Sequence, residues 1–251
     1  MSADGEGHSR RYSEAIHAAR GEGSEAFQSW FNRSESVDES LRRGYWDFAV
    51  HILAPEVVAR ISDPATLTAL EIGYGGGRLL NAAASFFGRV IGIDVHDEQE
   101  AVAALLASCG RENVELVRTD GRTIPVSDES VDVVYSFIVF QHLPSVDAFE
   151  RYLSETNRVL RYGGVAQLYF AKLATLNPLR RFREIPNAAV NHVSLEISPR
   201  HAARLCRRSG LEVVGHGVSH KNVPDGYPGA VGGQASLTVA KAGRPRGSVV
   251  S

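Results

Sequence analysis

Three carboxylates and a run of glycines in the first half of the chain make a set able to grip a nucleoside. Glu71-Ile72-Gly73-Tyr74-Gly75-Gly76-Gly77 places an acid just ahead of glycines at 73, 75 and 77. Glycines at a strand-to-helix junction let the backbone turn tightly and let a ligand approach where a Cβ would collide. Asp94 follows, 23 residues after Glu71. A carboxylate pointing off a strand end there can accept two hydrogen bonds from a ribose diol. Asp120, in Thr119-Asp120-Gly121, is the third acid, suited to accept a bond from an adenine amino group. A dinucleotide fingerprint, G-x-G-x-x-G, would need its third glycine at position 78, which is Arg78.

The segments that must place these residues alternate between strand and helix. Thr68–Ile72 reads as a short apolar strand ending at the glycines, with a helix over Arg78–Phe87 beyond them. Next come a strand over Arg89–Asp94, a helix over Glu98–Ser108 and strands over Val114–Thr119 and Val131–Ser136. A helix over Ser145–Leu160 and a strand over Gly163–Phe170 complete the series. Strands this apolar, separated by helices, predict a parallel sheet covered on both faces. All three acids then sit at carboxyl ends of parallel strands, where such sheets bind ligands. Further on, Pro199–Ser209 reads as a helix stopped by Gly210, and Leu211–Val218 and Gln234–Ala240 as two more strands.

Upstream, apolar residues from Tyr12 to Ile61 recur at three- and four-residue spacings and predict two or three helices. Pro55 suits the first turn of another, Glu56–Ile61. The expected organisation is a disordered N-terminus over 1–11, a helical cap over 12–64, an α/β domain over 65–241 and a disordered tail over 242–251. The irregular stretches 173–198 and 219–233 are expected to cover the site.

Taken together these motifs resemble the class I S-adenosylmethionine-dependent methyltransferases. E-x-G-x-G-x-G at Glu71–Gly77, an acid ending strand two and an aspartate ending strand three follow that family's order. Ser130-Val131-Asp132-Val133-Val134-Tyr135-Ser136, followed by Phe140-Gln141-His142-Leu143, resembles its fourth-strand segment. Arg158-Val159-Leu160-Arg161-Tyr162-Gly163-Gly164 resembles its R-x-L-x-P-G-G turn, with Tyr162 standing where proline is usual. The likeness covers roughly residues 65–172. It implies a Rossmann-like, seven-stranded, mostly parallel sheet with helices on both faces, an antiparallel last strand and an N-terminal helical extension. It also implies S-adenosylmethionine as cofactor and S-adenosylhomocysteine as product.

By that resemblance Gly73 and Gly75 would lie against the methionine part of the cofactor, and Glu71 just below its amino end. Asp94 would hold the ribose hydroxyls, and Asp120 with Gly121 the adenine. Ser136 and Phe137 would line the wall near the sulfonium. In related enzymes a helix such as the one carrying Tyr45 and Trp46 folds over the cofactor, so that Tyr45 either contacts the cation or packs in a core stripe. His142, just past strand four, is a candidate base for an acceptor hydroxyl, or else a capping or packing histidine. His192 in Asn191-His192-Val193 is the second candidate, its plainer reading being an exposed loop residue. His216 and His220 read as structural. The run Arg180-Arg181-Phe182-Arg183 reads as a solvated loop, or as a receptor for an anion.

Composition narrows the remaining choices. Hydrophobic residues make up 43% and charged residues 22% of 251 residues, as in a soluble globular domain. With 27 Lys+Arg against 29 Asp+Glu the net charge is −2, so no nucleic-acid partner and no membrane is expected. No apolar run reaches the roughly 20 residues that cross a bilayer, and Met1–Arg20 lacks the apolar core of a secretion signal. Cys109 and Cys206 cannot make a disulfide scaffold, and the expected compartment is the cytoplasm. No metal is expected, because Tyr135-Ser136-Phe137 and Leu168-Tyr169-Phe170 stand where a hard-cation site would need acids. The expected function is methyl transfer to a small molecule, foremost to a hydroxyl of a sugar or secondary metabolite. The alternatives are non-methylating chemistry with the same cofactor, of the cyclase or decarboxylase kind, and a non-catalytic cofactor-binding module. A monomer and a homodimer are both compatible with the N-terminal helices.

Overall fold

Short apolar runs pair into the central sheet of the computed structural model. It describes residues 4–33, 36–177, 179–219 and 233–243. Three helices come first: α1 (Asp4–Gly21), α2 (Ser24–Asn32) and α3 (Val37–Asp47), the last continuing through a π-helical turn at Phe48–Ile52. The short α4 (Pro55–Val58) begins on Pro55, as a first-turn proline should. Then follow β1 (Thr68–Ile72), α5 (Arg78–Ala84), β2 (Arg89–Asp94), α6 (Gln99–Ser108), β3 (Val114–Arg118) and β4 (Val131–Ser136). The chain closes with α7 (Val146–Val159), β5 (Leu160–Lys172), β6 (Phe182–Glu184), β7 (Leu195–Ile197), α8 (Pro199–Arg208), β8 (Leu211–Val218) and β9 (Gln234–Lys241).

The order β3-β2-β1-β4-β5 is parallel throughout, and β9 joins β5 antiparallel with β8 outside it. This is the expected Rossmann-like sheet with its antiparallel last strand. Two more strands come from the stretch expected to be irregular. β7 pairs with the end of β5 at Ala171 and Lys172, and β6 pairs antiparallel with β7. They are three residues long, and tertiary pairing, not local pattern, decides such strands.

Alternate residues of each strand feed two cores. Leu70 and Ile72 of β1 with Val131 and Val134 of β4 meet Phe149 and Leu153 of α7 and Leu205 of α8 on one face. Ala69, Val133 and Tyr135 meet Leu79 and Leu80 of α5, Val102 of α6 and Ile16 and Phe27 of α1 and α2 on the other. Arg158, from the turn motif before β5, spends its guanidinium on loop 124–128. It donates to the carbonyls of Ile124 and Val126 and to Glu155 and Asp128, at 2.6–2.9 Å. That fixes the entry into β4.

Helix α1 starts at Asp4, where disorder was expected through residue 11. Its reason is tertiary: the helix lies along the carboxyl edge of the sheet, and Ile16 is buried there. Residues 220–232 and 244–251 lie outside the described residues, and with them most of the second expected loop and of the expected tail. Among the described residues no helix is long and apolar enough to cross a membrane.

Candidate functional site

The glycine loop and the acid of β2 are built as one unit. The Gly73 N–H reaches back to the Ile93 carbonyl at 2.8 Å, and the Gly75 N–H donates to Asp94 Oδ2 at 2.8 Å. Asp94 Oδ1 accepts the Val95 N–H at 2.7 Å. His96, fully buried, accepts the Glu98 N–H on Nδ1, so its Nε2–H is the donor to the Gly75 carbonyl at 3.1 Å. The Gly75 residue is thus held from its N–H by Asp94 and from its carbonyl by His96. Gly73 and Gly75 have φ of 76° and 53°. A Cβ at Gly73 would stand 2.5 Å from Val139, and one at Gly75 2.7 Å from Phe31, so only glycine fits this covered turn.

Above the loop lies a cavity of about 1190 Å³. A pocket for one small ligand occupies roughly 300–1000 Å³, so this one has room for a donor and an acceptor together. Tyr12 and Ile16 of α1 and Trp30 and Phe31 of α2 roof it, and Phe137, Ile138 and Val139 wall it after β4. Ile138 has φ 61°, a genuine outlier for a β-branched residue, held where the wall turns toward the cavity. Segment 185–194 closes the far side and is tied to the roof. Arg11 donates to the Ala188 carbonyl at 3.1 Å, the Asn191 N–H to the Tyr12 hydroxyl at 3.1 Å, and Asn191 Nδ2 to the Trp30 carbonyl at 2.9 Å.

His142 lines this cavity with its tautomer fixed. Nδ1–H donates to the His192 carbonyl at 2.8 Å, leaving Nε2 as acceptor for Gln141 Nε2 at 3.0 Å. The Gln141 amide is itself oriented, because its Oε1 accepts from Gln234 Nε2 at 2.8 Å. Burial lowers the His142 pKa, against the opposing bond to His192, so the ring is neutral at physiological pH. His8 of α1 donates Nε2–H to the His142 carbonyl at 2.6 Å, closing the roof onto the same turn.

Behind the glycine loop a polar cluster is packed under the cavity. Glu71 accepts the Tyr135 hydroxyl at 3.1 Å. Burial drives its carboxyl up to about 8, with Arg78 and Tyr135 opposing and Asp94 reinforcing the rise. Arg78 pairs with the buried Asp47 and stands 5.9 Å from the centre of the Phe137 ring. His51 stacks on that ring, 4.6 Å between centroids, and meets Tyr169 Oη at 3.2 Å.

Of the residues expected at the site, Glu71, Gly73, Gly75, Asp94, Gly121, Phe137 and His142 line the one cavity. Four others are not among its lining residues. Tyr45 lies on the outer side of α3 and accepts from Arg111 at 2.6 Å, away from the cavity. Ser136 is buried in the sheet, with its hydroxyl donating to the Ile72 carbonyl at 3.3 Å. Asp120 turns its Oδ1 to the N–H groups of Arg122 and Thr123 and the Thr123 hydroxyl. Burial would raise its pKa, but those donors outweigh it and hold the carboxyl below the usual range. Asp120 therefore shapes the turn that brings the Gly121 backbone to the cavity. The His192 ring is exposed and off the cavity lining, and only its carbonyl reaches the site. Sequence reasoning also missed the roof residues Tyr12, Trp30 and Phe31, and His96. The aromatic periodicity of α1–α3 signalled a buried stripe without saying which helix would face the ligand.

The family described as "Methyltransferase domain" matches residues 70–168. The "Ubiquinone biosynthesis O-methyltransferase" of Paramagnetospirillum magneticum is 37% identical over 119 residues, 47% of this chain and 45% of that protein. The chain thus spans less than half the length of the curated relatives it matches first. Among solved structures, the [4+2]-cyclase SpnF superposes with a TM-score of 0.58 at 17% identity, over 84% of each chain. An S-adenosylmethionine-dependent methyltransferase from Mesorhizobium loti does so with 0.56 at 14% identity, over 74% of this chain and 96% of the other.

Proposed function

We propose, for a chain that belongs to the class I S-adenosylmethionine-dependent methyltransferases, that it methylates a hydroxyl group of a small molecule held under α1 and α2. The observation that carries the reading is the Asp94–Gly75 unit at the floor of a two-ligand cavity. The donor set fits the cofactor. Asp94, held by two backbone amides, would keep lone pairs for ribose hydroxyls; Gly121 would offer bare backbone to the base, and Arg78 and Glu71 would meet the amino-acid end. When bound, S-adenosylmethionine supplies a methyl group already activated by the positive charge on sulfur.

The rest falls to the protein. Phe137, Ile138, Val139, Trp30 and Phe31 exclude water and align the acceptor, and alignment is worth several powers of ten in rate. His142 holds a neutral imidazole on the cavity wall, oriented by the His192 carbonyl. An acceptor hydroxyl that replaces Gln141 on Nε2 can pass its proton there. The O-methyltransferase name of the relative supports a hydroxyl acceptor. The cyclase among the fold neighbours keeps a second reading in view, non-methylating chemistry with the same cofactor. The test is to incubate the protein with methyl-labelled S-adenosylmethionine and a panel of phenols, sugars and other hydroxyl compounds. Labelled product and S-adenosylhomocysteine in equal amounts carry the proposal. Conversion of an acceptor without label or S-adenosylhomocysteine favours the second reading.

A further inference from the structure

One surface of the molecule combines charge and apolar exposure in a way the cleft does not use. Arg180, Arg181 and Arg183 stand in one short stretch and Arg200, Arg204, Arg207 and Arg208 in α8, while neither 176–183 nor 199–208 contains an acid. In a chain of net charge −2 this is a local reversal of sign. The α8 arginines, spaced by four, three and one, share the exposed face of that helix, whose other face buries Ala202, Leu205 and Cys206. The two stretches are contiguous. The Phe182 ring stacks on His201 at 5.9 Å, and the Ser198 N–H donates to the Arg181 carbonyl at 2.8 Å. Among the described residues, two of the seven have acid partners, Arg183 with Glu196 and Arg208 with Glu150.

Beside these guanidinium groups stand Leu176, 104% exposed, and Leu179, 84% exposed, with Phe182 partly covered by His201. A solvated loop has no use for two leucines exposed to water next to six exposed arginines. The combination suits the headgroup boundary of a membrane, where apolar tips enter the acyl region and arginines meet lipid phosphates. A polynucleotide would account for the arginines and leave the leucines without a role.

We propose that this face docks the protein peripherally on an anionic phospholipid bilayer. It does so without a spanning helix, of which the described residues have none. Glu184 and Ile185, which follow Arg183 directly, line the cavity, so docking sets the cleft beside the lipid surface. Resting on the methyl-transfer reading above, the favoured acceptor is then a hydroxyl compound that dwells in the bilayer; docking itself does not depend on that reading.

The test is flotation of the full chain with vesicles of phosphatidylcholine alone or mixed with phosphatidylglycerol, at low and high salt. Binding is expected only to the mixed vesicles and is expected to weaken with salt. Each arginine at the surface contributes roughly fivefold to partitioning, so Arg200→Gln/Arg204→Gln/Arg207→Gln is expected to lower it about 100-fold. Leu176→Ser/Leu179→Ser is expected to lower it at least about tenfold. Both variants are expected to keep the wild-type melting temperature, since the replaced side chains are exposed. Failure of the wild type to float with the mixed vesicles overturns the proposal. So does a leucine variant that floats like wild type, and retention of a transfer RNA by that variant would then assign the face to polynucleotides.

Discussion

Asp94 Oδ2 accepts the Gly75 N–H at 2.8 Å, and through that bond the acid ending β2 fixes the loop that follows β1. Preparing the ligand-binding carboxylate and shaping the glycine turn are therefore one event. With His96 holding the Gly75 carbonyl, neither side of the turn is left to the ligand to organise.

Asp94→Ala removes the ribose acceptor and the Gly75 anchor together. We expect S-adenosylhomocysteine affinity to fall by about 1.5–3 kcal/mol, the range for hydrogen bonds to a charged group. His96→Gln, able to donate to the Gly75 carbonyl, should bind more tightly than His96→Leu. Calorimetric titration of the three variants checks both statements.

Gly75→Ala should cost more stability than Gly110→Ala, although both positions have positive φ. At Gly110 a Cβ meets nothing within 4 Å, so the cost is backbone strain alone, on the order of 1 kcal/mol. At Gly75 the Cβ also collides with Phe31. Urea denaturation at one pH measures the difference, and equal costs would mean that Phe31 gives way freely.

Glu71 sets a pH dependence of stability. Its folded pKa, about 8, lies above the ordinary carboxyl value of roughly 4.3. Between those values the folded protein keeps a proton that the unfolded chain has lost. Unfolding free energy contributed by this group is therefore full below the lower value and falls as pH rises toward 8. Each tenfold change in its proton equilibrium is worth about 1.4 kcal/mol. Glu71→Gln should remove that decline, seen as a wild-type-minus-variant stability that drops between pH 5 and about 8. A constant difference across this window would show that the carboxyl ionises normally in the fold.

His142→Asn and His192→Ala should behave oppositely. The first removes the imidazole on the cavity wall and should lower kcat about 100-fold or more, within the usual range for a general base, with KM for the cofactor little changed. Because burial depresses the His142 pKa, the acid limb of the wild-type rate profile should lie below the ordinary histidine value of roughly 6.5. The second variant keeps the main-chain carbonyl that orients His142 and should turn over normally. Steady-state kinetics against pH distinguishes the pair.

How much of this the sequence carried depends on where each signal resides. Thr68–Ile72, Arg89–Asp94 and Val131–Ser136 form strands with the expected bounds, because each is a short, largely apolar run, and Leu211–Val218 keeps its expected bounds as well. The acids at strand ends were legible because strand order places them together, and Asp94 and Glu71 do line the cavity. Side-chain direction was not legible. Asp120 and Ser136 stand at strand ends of the expected kind, yet local donors turn to Asp120 Oδ1 and the Ile72 carbonyl takes the Ser136 hydroxyl. Tyr45 and Trp30 belong to the same aromatic-rich stretch, and only the packing of α2 against α1 puts Trp30, not Tyr45, over the cavity. The start of α1 at Asp4 escaped notice because polar, glycine-containing sequence is held helical by docking and not by its own propensity.

The most direct measurement is calorimetric titration of the full chain with S-adenosylmethionine and S-adenosylhomocysteine, alongside NAD and the Asp94→Ala variant. The account expects micromolar binding of the first two, none of NAD, and a loss of at least about tenfold in the variant. Absence of binding to either sulfur compound, or equal binding by Asp94→Ala, would contradict it.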